Sequence, residues 1–279
     1  MTKPKIIWLL VLVAVASAVI AERSIPPVVT ILGLLLAGTF TSAGALALNS
    51  FLEIDIDSKM KRTKNRPLPA DRILPRNRAL ALGLSLIALG VATSLLTLNV
   101  LATFFIALGA VVYVPIYTVW LKPRTSWNIV LGGFAGSCAA LAGWYSITVA
   151  DPFIAWVLAA LVFVWTPSHF WSLAVITEED YSAAGIPMLP SVVGEARAAR
   201  FIVINTLLLI PISLLFYIYL TGAGSLIYLG GAFAFDALIL ATNVKLLISP
   251  TKSNAWLAFK FSSPYLAMIF VLACVSVLI

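Results

Sequence analysis

The chain has 279 residues, 62% of them hydrophobic and only 10% charged, with a formal net charge of +7. Soluble domains carry about 25% charged residues, and a chain of this size cannot hide so much apolar surface in one core. A water-soluble fold is excluded. Two cysteines (Cys138 and Cys274, both in apolar runs) and a single histidine exclude a disulfide framework, a zinc site or an imidazole cluster within one chain.

Nine apolar segments follow in order: 6–21, 28–50, 79–97, 100–120, 127–149, 152–174, 200–220, 224–247 and 255–278. A bilayer crossing takes roughly 20 apolar residues. Backbone polar groups in hydrocarbon must pair within the segment, so each run is read as a helix. The first is short. Lys3, Pro4 and Lys5 before an apolar run ending near Ala16, Ser17 and Ala18 imitate a signal peptide, but removing that segment leaves the orientation of the rest unchanged. The third and fourth meet at a tight turn around Leu98 and Asn99. The expected fold is an all-α integral membrane protein, one domain over residues 1–279 with nine transmembrane helices.

Orientation follows from the basic residues. With the N-terminus inside, the inner segments hold 17 of the 18 Lys and Arg, and only Arg23 falls outside. The positive charge thus belongs beside anionic lipid, and nucleic acid is not needed to explain it. Outer connections are short. Two inner ones are long, from about Glu53 to Arg78 and from Thr177 to Ala199, and eight of the 11 acids gather there. The expected location is the cell membrane, multi-pass, with the N-terminus and the polar loops cytoplasmic.

Three constellations stand on that inner side. In the first, Asn49, Glu53 and Asp57 recur every fourth residue, so a helix presents them on one face with a drift of about 40° per step. Oxygen ligands of this kind suit Mg²⁺, which is commonly held by one or two carboxylates plus substrate phosphates. Asp55 falls on the opposite side of a regular helix and needs an unwound turn or a second role. Lys61, Arg62, Lys64 and Arg66 follow, able to meet phosphate oxygens. The bland alternative is a solvated juxtamembrane segment whose charges neutralise one another. In the second, Tyr117, Thr118, Trp120, Lys122 and Arg124 precede Asn128 and the glycines 132, 133 and 136. Here Lys122 and Arg124 either hold a diphosphate or simply anchor the helix at the membrane surface. In the third, Trp165, Pro167 and His169 lead to Glu178, Glu179, Asp180 and Tyr181. Pro167 offers no N–H to the carbonyl of Phe163, so a polar neighbour such as His169 has a packing role open to it as well as a chemical one.

Together these strings resemble the UbiA superfamily of intramembrane prenyltransferases. The run from Asn49 through Asp57 is similar to its first Asp-rich motif, with Glu53 where the superfamily usually has Asp. Met60 to Pro69, the Tyr117 to Lys122 string, Pro167 to Trp171, and Asp180-Tyr181 through Pro190 resemble the heme O synthase branch. A second Asp-x-x-x-Asp motif is absent, because position 176 is Ile. That tells against a quinone-type enzyme and leaves a second metal open.

The resemblance implies a UbiA-like bundle with a cavity opening to the cytoplasmic side. It implies transfer of a farnesyl group from farnesyl diphosphate to a vinyl group of heme B, giving heme O for heme-copper oxidases. Mg²⁺ would sit on Asn49, Glu53 and Asp57, and the diphosphate on Arg62, Arg66, Lys122 and Arg124. Catalytic candidates are Asn49, Glu53, Asp55, Asp57, His169, Asp180 and Tyr181. The expected partners are heme B, farnesyl diphosphate, the lipid bilayer and a downstream heme-modifying enzyme. The other readings are a prenyltransferase acting on a quinone precursor or lipid alcohol, and an ion-coupled transporter. Transport predicts ionisable groups at the midplane of several helices, where only Asp236 and His169 qualify.

Overall fold

The computed structural model describes residues 4–65 and 76–279, and among them every regular element is helical. The elements are α1 (Pro4–Glu22), α2 (Val28–Leu52), α3 (Ile54–Lys59), α4 (Arg76–Thr97), α5 (Val100–Val111), α6 (Asn128–Gly132) and α7 (Phe134–Tyr145). They continue with α8 (Pro152–Ile176), α9 (Glu178–Ala183), α10 (Leu189–Val193), α11 (Glu195–Leu215), α12 (Gly222–Ile248) and α13 (Lys252–Leu278). A π-helical stretch, Val112–Leu121, extends α5, and a 3₁₀ turn, Phe216–Tyr219, ends α11. Seven helices are long and apolar enough to cross a bilayer by length and composition: α2, α4, α5 with its extension, α8, α11 with its turn, α12 and α13.

Two of the nine expected segments are shorter. α1 still belongs to the bundle, because Val13, Ala18 and Ile20 are fully buried and the helix packs on α2, α7 and α13. The fifth segment, expected as one helix, is broken at Gly133 into α6 and α7. The N–H of Gly136 reaches back three residues to the Gly133 carbonyl at 3.0 Å, the tighter turn that a glycine-rich run with low helix propensity admits.

Apolar side chains are buried where helices face one another and exposed where they face lipid, since lipid tails solvate them as well as a core does. Close approach then comes from small residues. A Cβ on Gly90 of α4 would lie 2.7 Å from the Thr41 backbone nitrogen of α2, and one on Gly44 would lie 2.6 Å from the Gly83 carbonyl oxygen. The turn between α4 and α5 is fixed by Asn99, whose side chain accepts from Ala102 N–H at 2.9 Å and donates to the Tyr145 carbonyl at 2.6 Å.

The bundle has a polar end, where α2, the π stretch, α8 and α11 meet α3, α6, α9 and α10. A cluster of Met60, Ile129, Trp171, Tyr181, Ile186 and Met188 binds these short helices together. At the opposite end Arg23 lies over the Tyr219 ring, 4.1 Å from its centroid, and donates to its hydroxyl at 3.1 Å.

Candidate active site

α2 does not stop cleanly at Leu52. The Glu53 N–H bonds to the Asn49 carbonyl at 3.0 Å and the Asp57 N–H to the Glu53 carbonyl at 2.7 Å, so the helical register runs through the bend into α3. Asn49, Glu53 and Asp57 therefore remain on successive turns of one face, with exposures of 1%, 4% and 2%. Asp55 is exposed on the other side, as the regular spacing requires.

The basic partner comes from the π stretch. Pro115 cannot donate to the preceding turn, and the helix widens so that Lys122 N–H bonds the Tyr117 carbonyl at 2.8 Å and the Thr118 hydroxyl bonds the Tyr113 carbonyl at 2.9 Å, five residues back in both cases. π turns are rare and tend to mark functional sites. This one sets two rungs against α2. Asn49 Nδ2 donates to Thr118 Oγ1 at 3.1 Å, and Lys122 Nζ meets Glu53 Oε1 at 2.5 Å. Both rungs are spaced by four residues on both strands of the ladder. Lys122 is 8% exposed, so the pair is shielded from water. Tyr117 stacks on Tyr113, ring centroids 5.7 Å apart, and occupies the place of a Gly132 side chain, whose Cβ would lie 2.5 Å from the Tyr117 ring. Arg124 turns away. Its Nη1 caps the carbonyls of Val119 and Trp120 at 3.0 and 2.9 Å. The spacing alone points to Thr118 and Tyr117 only weakly, through the four-residue step from Thr118 to Lys122 that repeats the step from Asn49 to Glu53.

The turn after α3 is tied down from the far side. Both carboxylate oxygens of Asp180 are engaged, Oδ1 by the Lys61 N–H at 2.9 Å and Oδ2 by the Arg62 N–H at 3.1 Å. Thr63 Oγ1 donates to the Asp57 carbonyl at 2.9 Å, and Met60 and Tyr181 are buried beneath. Asp180 thus positions the loop that carries Lys61 and Arg62. Arg66 lies outside the described residues. A recess of about 360 Å³ opens beside this tie, with Lys61, Arg62, Thr177, Glu179, Asp180 and Lys252 on its walls. Lys252 meets Glu179 at 2.5 Å and holds its carboxyl below the usual range.

His169 sits deeper on α8 and is not joined to the ladder. Its Nδ1 lies 2.6 Å from Ser262 Oγ of α13, between the Trp165 and Phe259 rings at 4.5 and 4.6 Å. Ser262 Oγ also lies 2.7 Å from the Phe259 carbonyl, so the His169 ring is held in place through α13. Pro167 disturbs the turn above, and Asn205 Nδ2 supplies Val164 O and Ser168 Oγ, both at 2.6 Å. Asp236, the acid within α12, lies elsewhere again. Ser213 and Tyr265 donate to its two oxygens at 2.7 Å each.

Among the described residues no three His, Cys, Asp or Glu side chains converge on a point. Two buried carboxylates and one carboxamide on successive turns nevertheless suit a hard cation that takes its remaining oxygens from substrate. Glu53 has only one oxygen committed to Lys122 among the described residues.

Fold and site thus define a helical membrane protein with a buried acid–lysine ladder at one end. The family model described as the UbiA prenyltransferase family matches residues 9–272, and the chain belongs to that family. It is 44% identical to a protoheme IX farnesyltransferase of Metallosphaera sedula over 279 residues, 100% of this chain and 95% of the relative. It is 46% identical to protoheme IX farnesyltransferase 1 of Cenarchaeum symbiosum over 274 residues, covering 96% and 91%. A solved UbiA homologue from Archaeoglobus fulgidus bound to GPP and Mg²⁺ superposes with a TM-score of 0.62 at 14% identity, covering 96% of this chain and 97% of that one. The chain is a prenyltransferase, and the match extends well past the last motif at Pro190.

Proposed function

We propose that this enzyme transfers a farnesyl group from farnesyl diphosphate to a vinyl group of heme B, giving heme O, and that its polar end faces the cytoplasm. The observation that carries the reading is the ladder of Asn49, Glu53, Thr118 and Lys122 with Asp57 beside it, in a chain whose full-length relatives are protoheme IX farnesyltransferases.

Asn49, Glu53 and Asp57 would hold Mg²⁺, which when bound neutralises charge on the diphosphate. The chain's own groups do the rest. Lys122, kept in place by Glu53, stands where a departing diphosphate needs a cation. Arg62 and Arg66 supply further positive charge, and Arg124 keeps the end of the π stretch in register. The bond between C1 of the farnesyl chain and the diphosphate oxygen breaks, and the electron pair leaves with the diphosphate. The vinyl π electrons form the new bond to C1. The cation left beside the macrocycle takes water's oxygen, and a proton departs, leaving a hydroxyethylfarnesyl group. His169, deeper on α8, would position the acceptor or handle that proton. Asp180 and Tyr181 position the loop, and Asp55 acts at its exposed edge. The product then serves a heme-modifying enzyme downstream.

The test is to incubate purified enzyme with heme B, farnesyl diphosphate and Mg²⁺ and weigh the extracted heme. The expected product is heme heavier by one farnesyl group and one hydroxyl. Heme of unchanged mass, with a quinone precursor or a lipid alcohol prenylated instead, overturns the acceptor.

A further inference from the structure

The recess beside the Asp180 tie is lined by three cations, Lys61, Arg62 and Lys252, against two carboxylates. Asp180 spends both oxygens on backbone N–H groups. Glu179 is held by Lys252 in a pair whose side chains are 66% and 52% exposed. An incoming carboxylate can therefore displace Glu179 from Lys252 at little cost, since water and salt already screen that pair. The walls are wet and carry a positive balance, as suits an anion at the membrane boundary.

Its position along the helices suggests which anion. Ile176, on the recess wall, follows His169 by seven residues on α8, and Lys252 precedes Phe259 by seven on α13. Seven residues are two helical turns within about 20°, or roughly 10 Å of rise. The His169 and Phe259 rings stack across the two helices. The recess therefore lies two turns toward the polar end from that stack, on the same faces of both helices. That separation is comparable to the width of a porphyrin from its carboxylate-bearing edge to the opposite one. A flat acceptor with charged groups on one edge has one favourable orientation in a bilayer, because burying the charges is costly. With its carboxylates in the recess, its apolar edge reaches the depth of His169.

We infer that this recess is the subsite for the acceptor's propionate carboxylates, held by Lys61 and Lys252, and that it selects and orients the acceptor. The inference rests on heme B being that acceptor. It gives the two anionic substrates different anchors: the diphosphate has Lys122 and Arg62, the propionates have Lys61 and Lys252.

Heme B and its dimethyl ester, in which both carboxylates are capped, are compared as acceptors in nanodiscs of neutral lipid. Wild type is expected to prefer heme B by about tenfold or more in kcat/KM, the scale of charge-assisted hydrogen bonds. The Lys61→Gln/Lys252→Gln variant should lower heme B to the level of the ester while leaving the KM for farnesyl diphosphate unchanged. Lys61→Arg/Lys252→Arg should restore the preference, which a variant damaged only in its fold would not do. The inference is overturned if the Gln variant keeps the preference or loses both acceptors alike. It is overturned too if the variant matters only when anionic lipid is added, because the recess then holds a lipid phosphate. Equal turnover of heme B and ester by wild type sinks this inference alone, whereas prenylation of a quinone precursor or lipid alcohol in place of heme sinks the acceptor reading with it.

Discussion

Two lysine–glutamate pairs in this enzyme have the same N–O distance, 2.5 Å, and opposite surroundings. Lys122 and Glu53 have side chains 11% and 5% exposed, and Lys252 and Glu179 52% and 66%. Exposed ions keep much of their hydration, pay entropy to stay together and are screened by salt. Buried ions have given up water, and removing one leaves the other without compensation. The same contact therefore does different work. The buried pair locks the π stretch to α2 and, on the proposed function, keeps Lys122 beside the departing diphosphate. The exposed pair is a resting arrangement that a ligand carboxylate can exchange.

The largest expected effect lies beside the buried pair. Asp57→Ala should cut turnover between about a hundred- and a thousandfold, the scale of removing one principal stabiliser of developing charge. Thermal midpoints measured beside turnover separate lost chemistry from lost fold, because Asp57 is buried. Normal turnover would remove the proposed metal site. Lys122→Gln should do more to stability, leaving Glu53 buried without its cation at a cost of about 3–5 kcal/mol, seen as a lower thermal midpoint in detergent. Adding Glu53→Gln should recover most of that midpoint and none of the activity. If the double variant stays as unstable as the single, the pair is not what holds the π stretch.

The acidic half of this site was legible in the sequence because Asn49, Glu53 and Asp57 recur at a period that a helix converts into one face. Its basic half was legible only as an inventory. Lys122 is 69 residues from Glu53, and nothing in local spacing says that it meets a carboxylate as well as a diphosphate. The widening at Pro115 was hidden for another reason. An apolar run with one proline reads as a kinked helix, and its hydrogen-bond register depends on what α2 offers opposite. Asp180 was legible as an acid at the polar end, but its partners are backbone N–H groups, which every residue has and no composition marks. The segment boundaries came through well, since bilayer thickness sets them; the break at Gly133 did not, because Gly132, Gly133 and Gly136 read equally as helix-packing residues.

Asp236 sharpens the comparison by showing a buried carboxyl group that meets hydroxyls and, among the described residues, no cation. Ser213 and Tyr265 donate to it, and Tyr228 donates to the Ser213 carbonyl at 2.7 Å, so three helices close around it. Burial by itself does not demand a lysine where hydroxyls suffice. Asp236→Leu strands those hydroxyls and should cost about 2–4 kcal/mol of stability, with kcat of the folded fraction unchanged. Asp236→Asn keeps the shape and an acceptor for Tyr265, and should cost less than about 1 kcal/mol. A loss of turnover in folded Asp236→Asn would make this acid part of the chemistry.

The smallest effect belongs to the exposed pair, and its sign with pH is fixed. Lys252 holds the Glu179 carboxyl below its usual range in the folded protein. A carboxyl lowered on folding contributes stability that is fully present above the unfolded pKa and is lost as the pH falls through the folded one. Wild type should therefore be at least as stable as Glu179→Gln at neutral pH, by a margin near the limit of measurement that disappears in high salt. The margin should shrink as the medium is acidified through and below the ordinary carboxylate range, and it should not reappear at lower pH. Thermal midpoints of the two proteins across that range, at low and high salt, decide the matter. A neutral-pH gap as large as that of Lys122→Gln would mean that Glu179 and Lys252 are locked to one another as firmly as the buried pair, and Lys252 would then not be available to exchange its partner for a substrate carboxylate.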